Sequence, residues 1–173
     1  MIVSTFGRYS GSHLNPALSF GKFLAGTLDC VAFLGYFAAQ VFGVFVATIV
    51  NEKVLSSGGS GSFHGAVFDY GEGQAVFYEM CACVLATFGY VYVVLLCCEK
   101  TQTERSGILG FTYAFGHVIS SEFNPSVPVS AWLMNLIKMG INGTGVMPAY
   151  FSVVMGPICC VVGACLAVLV KQI

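Results

Sequence analysis

Apolar runs and short polar breaks alternate along the chain, and the lengths of the runs set the first expectations. A helix crossing the roughly 30 Å hydrocarbon core of a bilayer needs about 20 apolar residues. Two runs reach that length, at about 29–51 and 74–98. A third, about 107–121, is shorter and leads straight into an Asn-Pro step. A fourth, about 148–170, contains Pro157, which predicts a kink. Two further apolar runs, about 15–25 and 124–137, are helix-like but too short to span. At about 1.5 Å per residue each covers roughly half the core.

Both short runs begin alike, with Asn15-Pro16 and Asn124-Pro125. Asn at the N-cap with Pro at the first helical position is a strong helix start. Such a half-length apolar helix belongs in a re-entrant loop or on the membrane surface. If both are re-entrant, three spans separate them, at 29–51, 74–98 and 107–121. An odd number places the second loop on the opposite face, so the two helix starts point at each other near the midplane. This is an inverted repeat. The segments "GSHLNPALS" and "SSEFNPSVP" align in register, with Ser12/Ser121, Asn15/Asn124 and Pro16/Pro125 identical. Ala17/Ser126 and Leu18/Val127 are conservative pairs. One Asn-Pro step is an ordinary turn signal; two, each opening a half-length apolar helix, are far more specific.

Composition agrees with a bilayer as solvent. The chain of 173 residues is 57% hydrophobic and 9% charged, where a soluble domain carries about 25% charged residues. Mean hydropathy is +0.83. The fold class expected is an all-α membrane protein. Net charge is −1, which offers no basic field and excludes nucleic acid as a partner. The eight cysteines lie inside or at the edges of apolar runs, without His or acidic residues at ligand spacing. They read as small packing residues, with no metal and no cofactor expected. No nucleophile–base pair or phosphate loop appears, so an enzyme is not expected. Residues 1–6 are apolar but too short for a signal peptide and resemble the tail of something longer. Ala39, Gly43 and Ala47 form a small-residue stripe that lets another helix approach closely.

The chemistry of two opposed helix starts follows directly. Each carries roughly half a positive charge and unpaired N–H groups. Facing each other, they repel cations, hydronium included. The side chains of Asn15 and Asn124 add amide donors for a solute oxygen. A water held by both donors breaks a proton-conducting chain. The expected device is a narrow path for water or small neutral solutes that excludes protons and ions.

These residues carry a family resemblance. "SGSHLNPALSFG", residues 10–21, closely resembles the first signature box of the aquaporin (major intrinsic protein) family. "YFAAQVFGV" (36–44) resembles its third span and "GFTYAFGH" (110–117) its fifth. Glu79 matches the glutamate of the fourth span that braces the second re-entrant loop. "FNPS" resembles the second box, with Ser126 in place of the usual Ala. The resemblance covers nearly the whole chain. It implies an aquaporin-like helical bundle in a lipid bilayer, assembled as a homotetramer. It places Asn15, Pro16, Ala17, Asn124, Pro125, Ser126 and Val127 at the pore, His13 at the cytoplasmic mouth and His117 at the outer constriction. Glu79 is expected to bond backbone N–H groups of 121–123, and Pro128 to be tolerated in the first turn of its helix.

The departures carry expectations too. The family's first span and most of its second have no counterpart here, so an incomplete or shortened chain is expected. The alternative to a channel is a non-conducting shortened paralogue that packs with full-length relatives. Val127 stands where the family has Arg, which removes a donor and weakens one ion barrier. The stretch from His117 to Asn124 is short, which leaves His117 equally as a pore residue or as a buried histidine bonded to backbone. With the first box entering from the cytoplasm, Arg8, Lys22, Lys100, Arg105 and Lys171 are cytoplasmic and Lys53 and Lys138 are not, in line with the positive-inside rule. Asn142-Gly143-Thr144 is a glycosylation sequon on the far side, used or there by chance.

Overall fold

The structure, a computed structural model, describes residues 7, 10–50, 73–97, 100–120, 123–142 and 151–173. Among these residues the chain is helical, without strands. The elements are α1 (Pro16–Leu24), α2 (Cys30–Val50), α3 (Gly73–Leu96), α4 (Gln102–Ile119), α5 (Ser126–Asn142), a π-helical turn (Phe151–Met155) and α6 (Gly156–Gln172). Among the described residues three helical stretches are long and apolar enough to cross a membrane: Cys30–Val50, Val76–Leu96 and Val153–Gln172. Their length and apolar composition suit a multi-pass helical bundle in a membrane.

α4 has 18 residues, roughly 27 Å of helix. It starts earlier than the apolar run because Thr101 and Glu104 tie its first turn. The Thr101 backbone N–H and hydroxyl both donate to Glu104 Oε2, at 3.2 and 2.7 Å. These bonds hold the exposed Glu104 carboxyl below the usual carboxylate range. α5 extends to Asn142, beyond the end expected near 137. Asn142 thus closes a helix, while the other two sequon residues lie outside the described ones. The expected kink at Pro157 takes a different form. Pro157 occupies the start of α6, where its missing N–H is tolerated, and the π-helical turn meets it there.

The tightest pairing is α3 against α6. A Cβ on Gly163 would lie 2.6 Å from the Val84 carbonyl oxygen and 2.9 Å from Thr87 Cβ, so the two helices meet nearly backbone to backbone. Cys83, Cys159 and Cys160 pack at this crossing, with Cys83 and Cys160 Sγ 3.6 Å apart. Val91, Leu95, Ala164, Ala167 and Val168 continue the seam. α1 lies across the pair and buries Ala17, Leu18, Ser19 and Gly21. A Cβ on Gly21 would meet Val91 Cγ1 at 2.5 Å. The valine is stiff at χ1, so it yields poorly. Gly21→Ala is expected to cost about 1–3 kcal/mol, seen as a lower unfolding temperature in detergent by circular dichroism.

α2 is peripheral: Thr48 is its one buried residue. It touches α1 and α5, and the Ser130 hydroxyl of α5 donates to its Val41 carbonyl at 2.9 Å. Ala39, Gly43 and Ala47 lie on the open face of α2. Nothing described sits within 4 Å of where a Gly43 Cβ would be. The close helix contact expected at this stripe is therefore not made within the described chain.

Candidate functional site: two opposed helix starts

α1 begins by the local chemistry of its first residues. Asn15 holds extended backbone (φ −143°, ψ 124°) and its Oδ1 accepts from the Ala17 N–H at 2.8 Å. Pro16 sits at N1, where no N–H is missed. Asn124 repeats this at α5: its Oδ1 accepts from the Ser126 N–H at 3.2 Å. Here the hydroxyl of Ser126 adds a second donor to the same oxygen, at 2.7 Å. An alanine in that place has only the backbone N–H to give.

The two starts are tied to each other. Asn15 Nδ2 donates to the carbonyl of Phe123, the residue just before Asn124, at 2.9 Å. Asn124 Nδ2 donates to the carbonyl of Leu14, the residue just before Asn15, at 3.2 Å. Each asparagine thus uses its oxygen for its own helix and its nitrogen for the opposite loop. The exchange is reciprocal, as a two-fold relation between the loops requires. Asn15, Pro16, Ala17, Asn124, Pro125 and Ser126 are all buried. Because α1 and α5 begin here and run apart, their positive ends converge on this region.

Ser126→Ala removes the 2.7 Å bond but leaves the backbone N–H on Asn124 Oδ1. Its expected cost is about 1 kcal/mol of stability in detergent unfolding, with flux retained.

Around this centre the other candidate residues fall as follows. His13 is buried ahead of α1. Its ring stacks on Tyr36 at 4.5 Å and its Nδ1 lies 3.3 Å from Ser19 Oγ. A cavity of about 420 Å³ adjoins it, lined in part by Ser12, Tyr36 and Gln40. His117 is exposed at the chain's surface, its ring edge-on to Tyr113 and Phe123, each at 4.9 Å. Its exposure among the described residues differs from the buried alternative. Val127 is half-buried in the first turn of α5. Glu79 accepts from the Ser120 hydroxyl at 2.7 Å, so its brace acts on the residue where α4 ends. Of its expected partners, 121 and 122 lie outside the described residues.

Two contributors escaped the sequence reading. Gln40 on α2 donates through Nε2 to the His13 carbonyl and to Ser19 Oγ, the latter at 3.1 Å, and so holds the entry to α1. It is the lone amide in the apolar run 30–50, which was the available signal. Tyr113 on α4 accepts from Asn124 Nδ2 at 2.9 Å. Its signal was its place four residues before His117, on the same helical face.

The fold and this centre define a helical membrane protein in which two Asn-capped helix starts are bonded to each other. The chain belongs to the major intrinsic protein family, whose model matches residues 1–171. It is 27% identical over 173 residues to a protein of Oryza sativa subsp. japonica named probable aquaporin TIP1-2, covering 99% of this chain and 65% of that protein. It is 35% identical over 119 residues to aquaporin TIP1-2 of Musa acuminata, covering 69% of this chain and 45% of that protein. It is 27% identical over 128 residues to aquaporin-1 of Sus scrofa, covering 70% and 46%. The chain thus spans less than two thirds of the length of these curated relatives. The family consists of channels, not enzymes.

Proposed function

We propose that this chain forms a passive path for water or small neutral solutes across a membrane. The observation that carries the reading is the reciprocal pair of bonds from Asn15 to the Phe123 carbonyl and from Asn124 to the Leu14 carbonyl. They hold two positive helix ends together at one place along the path. In this reading the half-helices are about 15–25 and 124–137, and the spans about 29–51, 74–98, 107–121 and 148–170. Cations meet the two helix ends and are repelled. A neutral solute passes by offering an oxygen to the amide donors. Val127 leaves the outer end without a fixed positive charge, which makes the midplane the main ion barrier. His117 lines the outer approach and His13 the cytoplasmic one. Glu79 braces the second loop, and four copies assemble in the membrane.

A second reading has one observation in its favour. α2 buries a single residue, so its outer face has no described neighbour. A non-conducting subunit would use that face to pack on a relative. Stopped-flow light scattering of proteoliposomes holding this chain separates the two. Shrinkage under a sucrose step faster than in empty liposomes supports the path. Empty-liposome rates from inserted, helical protein refute it and favour the packing subunit.

A further inference from the structure

The two asparagines are not loaded equally. Among the described residues, Asn15 Nδ2 has the Phe123 carbonyl as its one described acceptor, so its second amide hydrogen is not used in this exchange. Asn124 Nδ2 has two partners, the Leu14 carbonyl at 3.2 Å and Tyr113 Oη at 2.9 Å, so both of its hydrogens are in use. Its oxygen is also doubly used, by the N–H and hydroxyl of Ser126. The inverted repeat is therefore broken chemically at its centre, on the α5 side.

We propose that Tyr113 is the residue that sets permeability and solute choice in this chain, because its hydroxyl holds the Asn124 hydrogen that a passing solute would otherwise meet. The proposal rests on the conducting reading above. The tyrosine is well placed to do this. Its ring is held edge-on by Tyr90 at 5.6 Å, Phe123 at 5.3 Å and His117 at 4.9 Å. Both Tyr90 and Phe123 are buried in one cluster, so the ring has a fixed seat. Its oxygen accepts the amide hydrogen and keeps its own proton. A solute oxygen arriving on the α5 side thus meets a phenolic O–H in place of an N–H, with an aromatic ring behind it. A phenol donates one hydrogen and also accepts, where the amide nitrogen only donates. The ring also adds bulk beside Asn124. Water is expected to pass slowly and glycerol to be refused.

Tyr113→Phe keeps the ring and deletes the hydroxyl; Tyr113→Val removes the ring as well. Water flux is measured by stopped flow under a sucrose step, and glycerol flux under a glycerol gradient. Retention of a trapped anionic dye controls for leaks. The expected result for Tyr113→Phe is water permeability raised about two- to tenfold over wild type, the range a single net hydrogen bond covers. Tyr113→Val is expected to admit glycerol as well. A conducting wild type with Tyr113→Phe equal or slower overturns the proposal and leaves the channel standing. Absence of flux from the inserted wild type and both variants overturns the channel reading, and the proposal with it. An infrared difference spectrum, wild type minus Tyr113→Phe, reads the bond without flux. A C–O stretch typical of a phenol that accepts a hydrogen bond is expected, and that of a non-accepting phenol overturns the assignment.

Discussion

Asn124→Asp is expected to bring water permeability down to that of empty liposomes. The substitution changes one NH₂ into an oxygen and adds a charge. The amide donates to Leu14 O and Tyr113 Oη, and a carboxylate donates to neither. The Leu14 carbonyl then faces an anion, and the exchange between the two loops is broken on one side. A buried charge without partners costs about 3–5 kcal/mol, and the Ser126 N–H and hydroxyl, which keep donating to Oδ1, offset part of that. The positive field of two helix ends lowers that cost here, and in doing so binds the charge where solute must pass. The barrier to cations becomes a site that attracts them. Circular dichroism and gel filtration in detergent identify protein that keeps the fold. Asn124→Ser, which restores a small neutral donor, is expected to recover part of the flux. Full water permeability in a folded Asn124→Asp protein would refute the role given to this residue.

Gly163→Val is expected to abolish folding into the bundle. The Cβ alone would sit 2.6 Å from the Val84 carbonyl oxygen and 3.0 Å from the Phe88 nitrogen. Both are backbone atoms in mid-helix, so no rotamer change relieves the clash. α3 and α6 must separate, and the cysteine and alanine seam between them opens. Overpacking commonly costs about 1–3 kcal/mol, and this site lies at or above the top of that range. The damage reaches the centre, because α1 rests on α3 and α6 and carries Asn15. Gly43→Val is the control: nothing described lies within 4 Å of its Cβ, and unfolding is expected to be unchanged. Equal thermal stability of the two variants would sink the argument.

The contrast between Gly163 and Gly43 shows where reading the chain alone stops. Gly43 sits in a small-residue stripe and was the visible candidate for close helix packing. The close approach occurs at Gly163, where Cys159, Gly163 and Ala167 form a second small-residue stripe of the same spacing. Spacing along one helix reports only which residues share a face. It does not say which face meets a neighbour. His117 teaches the same lesson: its ring edges onto Tyr113 and Phe123, and a shortened loop gave no means to place it.

By itself the sequence determined the helical class, the apolar surroundings and the two Asn-capped helix starts. These rest on local physics. Run length against bilayer thickness identifies spans. Asn as cap and Pro at the first position act within three residues of each other, and Asn15 does cap the Ala17 N–H as that chemistry demands. Only the tertiary structure decided what each asparagine does with its remaining hydrogens. The partners of Asn15 and Asn124 lie 108 and 110 residues away, and no local pattern encodes a pairing of that range. The unequal loading of the two amides was decided there as well. It depends on where α4 sets a tyrosine hydroxyl in space, and a helix position becomes a distance only once the helices are packed.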